Sequence, residues 1–426
     1  MTDNRNGKDV NVFMEKFEKI FNAVVGQSGG PTCAINATLA GVIKSCMDSD
    51  KIGTVYGMKN GIEGLLKDEL IPLDGYFKDS EQLSLLCSTP AAALGSCRVK
   101  ISDDGYCEKI SEVLEKHDIR YFFYIGGNDS MDAVEKLAKY QKENPRSYAA
   151  KVKFIGVPKT IDNDLCGTDH TPGFGSAAKF IACSVAEIAR DCAVYAQKAV
   201  TIIEVMGRDA GWLTASAALA KHIGGVGADL IYLPEVPFDS ERFIEDVKDK
   251  LDGGEKPYVI VAVSEGIKSK DGEYTAKSGM SGVKDIFGHA YLAGTGKYLE
   301  NLVREKIGCK CRSVELSVLQ RCASHIASAT DIDESFLIGR KAVEAALVGK
   351  NGRMMTFVRT AKDGYGVEIS DEDVSVIANK AKQVPPSFIS DDGKNVSGEC
   401  IEYLLPLICG ERHIKYEKGL PVHFSF

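Results

Sequence analysis

Short apolar runs that end in Gly, Pro or Ser clusters recur along the chain, each followed by a longer stretch of helical period. They are Ile20–Val25, Tyr121–Ile125, Phe154–Val157, Val200–Val205, Leu230–Leu233 and Tyr258–Val263. Runs this short, bounded by turn residues, read as strands buried on both faces, and the β-then-α rhythm predicts parallel sheets covered by helices. In open sheets of this kind ligands gather at the carboxyl ends of the strands, so chemistry is expected in the residues just after each run. Between two of the runs, Ser176–Gln197 places Ile181, Val185, Ile188, Cys192 and Tyr195 at helical spacing, a single core-facing stripe. Ala34–Lys44 also reads as helical, Lys268–Gly282 as an exposed polar loop, and Asn351–Met355 and the chain after Gln383 as irregular. With 426 residues and no short repeat, two or three domains are expected.

Composition removes several classes of function. Against 60 Asp and Glu stand 52 Lys and Arg, a net charge of −8 that offers no basic field to nucleic acid. No run approaches the roughly 18 apolar residues that would span a bilayer, and the first twenty residues lack the features of a secretory leader. A cytoplasmic protein without nucleic-acid or membrane partners is expected. The 13 cysteines are an odd, scattered set; Cys46, Cys183, Cys192 and Cys322 lie in apolar contexts and read as reduced core thiols. The pair Cys309 and Cys311 lacks the second pair or nearby His that zinc would need. An anionic ligand must therefore be captured by local groups.

Four turns carry such groups. Gly26-Gln27-Ser28-Gly29-Gly30-Pro31-Thr32 leads from the first strand into a helix, a geometry that turns backbone N–H groups toward phosphate. It matches neither of the common glycine-rich nucleotide loops, and nor does Gly294-Thr295-Gly296-Lys297. Ile125-Gly126-Gly127-Asn128-Asp129-Ser130 repeats the strand-to-helix turn, but the Asp129 carboxylate would repel any further phosphate close to it. Pro158-Lys159-Thr160-Ile161-Asp162-Asn163-Asp164 packs two carboxylates, a hydroxyl, an amide and an ammonium after a buried strand, enough for a general base, a Mg²⁺ ligand and charge neutralisation on a transferring phosphoryl group. Glu204-Val205-Met206-Gly207-Arg208 offers a guanidinium for bidentate phosphate binding. Glu265 follows a fifth strand, where it can accept sugar hydroxyls, and Arg312 and Arg321 lie farther on.

Taken in order, GQSGGPT, LGSCR, IGGNDS, GVPKTIDND, EVMGRDAGW, VSEG and LQR resemble the phosphofructokinase family from about residue 20 to about residue 330. The resemblance implies two doubly wound α/β domains with mainly parallel sheets and an active site in the cleft between them. The donor-binding domain would span 20–175, completed by about 322–370, and the sugar-phosphate domain 176–321, completed by about 371–426. The implied activity is a glycolytic or gluconeogenic, Mg²⁺-dependent phosphoryl transfer to O1 of fructose 6-phosphate. By the same resemblance Asp162 is the general base, Thr160 contacts the transferring group, and Asn128 and Asp164 hold the metal. Gly29, Gly30, Arg98 and Ser130 fall on the donor side, and Met206, Gly207, Arg208, Glu265 and Arg321 on the sugar side. Arg312 matches a position that reaches the 6-phosphate in the neighbouring subunit, which implies a homodimer or homotetramer with shared active sites.

The resemblance also bears on the donor. ATP-using members carry glycine at Asp129, leaving room for the α-phosphate, and usually glycine at Lys159. A carboxylate at the first position excludes the nucleotide, and an ammonium at the second stabilises a departing phosphate. The implied donor is pyrophosphate, with reversible transfer; the ATP-dependent alternative requires Asp129 to move aside. A non-catalytic subunit would be expected to lose Asp162, Arg208 or Arg321, yet all three are present. Asn128 replaces an aspartate that helps hold the metal. Val318 stands where a His or Tyr is common, and Ala199, beside Lys198, where bacterial ATP users place an arginine. Ala40 and Lys44 occupy effector-arginine positions, so control by ADP and phosphoenolpyruvate is expected to be weak or absent.

Overall fold

The computed structural model describes residues 20–254, 256–275, 294–360 and 364–426. Strands β1 (Phe21–Gln27), β2 (Ile52–Met58), β3 (Leu70–Pro72), β4 (Ile119–Gly126), β5 (Lys153–Pro158), β6 (Ala199–Val205), β7 (Leu230–Tyr232), β8 (Tyr258–Ser264), β9 (Lys310–Glu315), β10 (Arg353–Thr360) and β11 (Gly366–Asp373) form two sheets. The first has the order β11-β10-β5-β4-β1-β2-β3 and the second β7-β8-β6-β9. The second sheet is parallel throughout; in the first, only the edge strands β3 and β11 run antiparallel to their neighbours. This is the expected pair of mainly parallel α/β layers. The unbroken apolar runs follow from it, because helices on both faces leave no polar side: all seven residues of β8 are buried.

Register decides where the chemistry falls. Gln27 lies opposite Ile125 and Gly126 opposite Pro158, so β1, β4 and β5 end level with one another. Val205 lies opposite Ser264 and Glu204 opposite Glu315, which levels β6, β8 and β9 in the same way. The five motif-bearing turns thus share two short edges. Helix Ile35–Met47 covers one face of the first sheet and meets helix Ala329–Leu347 at very close range. A Cβ on Gly41 would lie 2.0 Å from the Phe336 carbonyl oxygen, and one on Gly339 2.2 Å from that of Thr38. Helix Phe174–Cys192 packs Ile181 and Val185 onto the second sheet. Its first turn is held by buried Asp331, which accepts from the N–H groups of Gly173 (2.8 Å) and Ser176 (3.0 Å).

Several expectations need correction. The helical stripe stops at Cys192; Tyr195 lies beyond the helix end, exposed, because the chain has already turned toward β6. Asn351–Met355 is not irregular. β10 starts at Arg353 and buries Met354, Met355 and Phe357, while the Asn351 side chain accepts from the Phe154 N–H (2.8 Å). After Gln383 the chain forms one α-helix, Gly398–Leu404, two short 3-10 helices, Pro386–Phe388 and Leu405–Ile408, and an antiparallel pair of Tyr416–Glu417 with Leu420–Pro421. The stretch 371–426 serves both layers: Val374 and Ile377 pack with the first sheet, Cys400 and Leu404 with the second, and Phe424 returns to the first against Phe77, 5.0 Å between ring centres. All 13 cysteines are free thiols; Cys46 and Cys192 are buried and Cys183 half-buried, but Cys322 is exposed. The loop read at Lys268–Gly282 is described only to Thr275, where Lys268 and Tyr274 form an antiparallel bridge. No helix among the described residues is long and apolar enough to cross a membrane.

Candidate active site

The level strand ends surround a cavity of about 520 Å³. Every residue given a catalytic, donor, sugar or metal role from the sequence lines it except Gly207 and Arg312, while Ala40, Lys44, Lys198, Ala199 and Val318 lie outside it. A second hollow of about 530 Å³ opens between Gln197, Lys248 and Cys309, near the opposite ends of β6 and β9; Lys198 lines it, but none of the residues given a catalytic or binding role does.

On one wall, Gly29 takes φ +76°, and a Cβ there would lie 3.2 Å from Lys159 Nζ; one on Gly30 would lie 3.2 Å from Arg321 Nη1. The bare backbone is what lets two cations approach the first turn. Ser28 and Ser130 share a hydrogen bond that ties the first turn to the second, and a Cβ on Gly126 would stand 1.9 Å from Ser130 Oγ. Lys159 is only 2% exposed and its ammonium donates to the Gly30 carbonyl (2.7 Å). Burial lowers its pKa to about 8 against the pull of Asp162 and Asp164. Asp129 lies in the first turn of helix Asn128–Glu143, where the helix dipole favours a carboxylate, and pairs with Lys100 at 3.2 Å.

In the turn after β5, the candidate catalytic turn, the Asp162 N–H donates to Thr160 Oγ1 (3.1 Å), and the Thr160 hydroxyl donates to Asp162 Oδ2 (3.4 Å). Burial raises the Asp162 pKa, opposed by Lys159, Thr160 and Arg208. Asp164 is raised to about 7, by burial and then by Asp162. Two carboxylates that resist ionising together favour a proton or a cation between them. Asn163, fully buried at φ +54°, sits between the two. Asn128 donates to the Lys380 carbonyl, and its own Oδ1 is buried without a partner.

The opposite wall is built by the turns after β6 and β8. Gly207, at φ +134°, donates its N–H to Glu265 Oε1 (3.3 Å) and accepts from the Ser264 hydroxyl. Burial pushes Glu265 up to about 7, with the Gly207 N–H opposing. Arg208 Nε is buried with no hydrogen-bond partner. Arg321 reaches the cavity from the short turn Ser317–Arg321 that follows β9. Arg312 points elsewhere within this chain, to Asp191 (2.7 Å) and Thr201 Oγ1 (3.3 Å).

Residues 22–346 match the phosphofructokinase family. The chain belongs to that family. It is 40% identical, over 94% of both chains, to the pyrophosphate–fructose 6-phosphate 1-phosphotransferase of Methylococcus capsulatus, and equally so to that of Halomonas elongata. Among solved structures it resembles the pyrophosphate-dependent phosphofructokinase of Nitrosospira multiformis, with a TM-score of 0.84 and 37% identity over 95% of each chain.

Within this phosphofructokinase fold the structure also shows what the motifs did not announce. Lys100 lines the cavity two residues beyond Arg98, close enough to the LGSCR run to have been read. Asn379, Lys380 and Ala381 line it too, beyond the end of the family match, and Lys380 serves through its carbonyl, which any residue type supplies. Gly294-Thr295-Gly296 is no anion loop: the Gly296 N–H is spent on the buried Glu204 carboxylate, 2.6 Å away.

Proposed function

We propose that this chain is a pyrophosphate:fructose-6-phosphate 1-phosphotransferase, which moves a phosphoryl group reversibly from pyrophosphate to O1 of fructose 6-phosphate. The observation that carries the reading is the presence in one cavity of the Asp129 carboxylate and the buried Lys159 ammonium. The names of the relatives support the same donor and acceptor. The first sheet, completed by β10 and β11, holds pyrophosphate; the turns of the second hold the sugar phosphate.

Asp162 accepts the O1 proton as O1 bonds to phosphorus and the bond to the bridging oxygen of pyrophosphate breaks. Thr160 steadies Asp162 and the transferring group. Lys159 neutralises the phosphate that leaves, and Gly29, Gly30, Arg98 and Ser130 cradle it. Arg208 and Arg321 bind the sugar phosphate, with Met206, Gly207 and Glu265 along the sugar. The residues fit a hard divalent cation: the orphaned Asn128 Oδ1 and the mutually repelling Asp162 and Asp164 are oxygen donors in want of positive charge. Asn128 and Asp164 would hold Mg²⁺, which when bound supplies charge neutralisation on the phosphoryl oxygens. Among the described residues no cluster of three acidic, His or Cys ligands exists, which suits a cation that takes much of its shell from water and substrate phosphate. Arg312, turned away from its own cleft, is assigned to the neighbouring subunit of a homodimer or homotetramer.

Initial rates with fructose 6-phosphate and Mg²⁺, with pyrophosphate or ATP as the sole donor, test the reading. Turnover on pyrophosphate alone is expected; comparable turnover on ATP contradicts it.

A further inference from the structure

The segment Asn379–Val384, beyond the family match and without any recognisable motif, touches all three groups of turns. Asn379 Nδ2 donates to Asp132 Oδ1 (3.1 Å) on the donor helix, and Lys380 accepts from Asn128. The Lys382 N–H donates to the Asp164 carbonyl (2.7 Å), and the Lys382 carbonyl accepts from Trp212 Nε1 (3.0 Å), in the turn that carries Arg208. The Val384 N–H donates to Glu235 Oε1 (2.9 Å), which also accepts from the Gly211 N–H (2.9 Å).

The Lys382 side chain ties the catalytic turn to the segment that follows it. Its ammonium donates to the carbonyls of Asp169 (2.7 Å) and Thr168 (3.1 Å) and to Asn163 Oδ1 (3.4 Å). An ammonium has three N–H donors, so none remains for a substrate. The third of these partners, Asn163, stands between Asp162 and Asp164 and takes the left-handed region at φ +54°, which a short polar side chain held by hydrogen bonds can adopt. Tyr403 closes the clamp from the other side: its hydroxyl accepts from Asn163 Nδ2 (2.9 Å) and donates to the Asp169 carbonyl (2.7 Å).

We propose that Lys382 is a positioning residue for phosphoryl transfer, whose ammonium fixes the left-handed Asn163 and thereby the directions of the Asp162 and Asp164 carboxylates. This rests on the functional reading above. It makes the clamp a determinant of kcat and of metal activation rather than of substrate affinity.

The test uses the full chain with pyrophosphate, fructose 6-phosphate and Mg²⁺. An inactive wild type overturns the functional reading and this one with it; in an active wild type, only the comparison with variants bears on Lys382. Lys382→Met is expected to lower kcat roughly 10- to 100-fold, the scale of a small misplacement of reacting groups. KM for both substrates should stay within about threefold, the Mg²⁺ concentration for half-activation should rise, and Lys382→Arg should recover part of the loss. Tyr403→Phe, which removes one oxygen and keeps the ring, should move the same quantities less. An unchanged kcat in Lys382→Met overturns the proposal, and so does a loss wholly explained by the fraction of unfolded protein. If Lys382→Met does not fold, Tyr403→Phe decides: wild-type kcat and Mg²⁺ dependence there reject the clamp.

Discussion

On the donor wall of the cleft, Lys159 already donates to Gly30, Ser28 is bonded to Ser130, and Asp129 is paired with Lys100. On the sugar wall, Arg208 keeps a buried Nε with no partner. The donor half ties these charged groups within one chain and leaves the neutral Asn128 Oδ1 without a partner. The sugar half keeps positive charge in reserve. Pre-set dipoles and charges cost little reorganisation during transfer, which is where a leaving phosphate needs them. Unpartnered guanidinium N–H groups instead gain most when an anionic acceptor binds.

The sharpest break in this contrast comes from Asp162→Asn, which keeps the turn's shape but removes the proton acceptor. It should lower kcat by about 10³-fold, within the range for a lost general base, with circular dichroism unchanged. Lys159→Met should lower pyrophosphate turnover by roughly 10²-fold, the scale of one lost transition-state charge contact. The wild type should show a matching pH effect. Burial has lowered the Lys159 pKa to about 8 and only the protonated form neutralises the leaving group, so kcat/KM for pyrophosphate should fall as pH rises through about 8. The variant should lack that limb. Smaller again, Arg208→Gln should reduce kcat/KM for fructose 6-phosphate about tenfold, the worth of one charge-assisted hydrogen bond, and leave KM for pyrophosphate unchanged. A variant that weakened both substrates alike would erase the difference between the walls.

Much of this was legible in the chain. The apolar runs of β1, β4, β5, β6 and β8 are buried on both faces, so polar residues such as Asn22, Arg120, Thr201 and Glu204 are few within them, and the motif turns follow where those strands end. The hairpin of β10 and β11 was not legible, because GVEISDED is acidic and half-exposed at a sheet edge and shows no apolar period. Tyr195 continued the helical spacing on paper, but spacing cannot say where the chain leaves a helix. The Asn379–Lys382 segment escaped notice for another reason. Lys380 acts through its carbonyl, which every residue type carries, and Lys382 through an ammonium whose partners lie more than 200 residues away in sequence.

The central claim is that the donor wall, and Asp129 within it, selects pyrophosphate. The ratio of kcat/KM for pyrophosphate to that for ATP, measured side by side in the wild type and in Asp129→Gly, tests it most directly. The wild type should strongly favour pyrophosphate, and the variant should lose part of that rate while gaining ATP turnover, moving the ratio by at least about tenfold, some 1.4 kcal/mol. An ATP rate unchanged by the substitution would contradict the claim, because the carboxylate would then not be what keeps the nucleotide out.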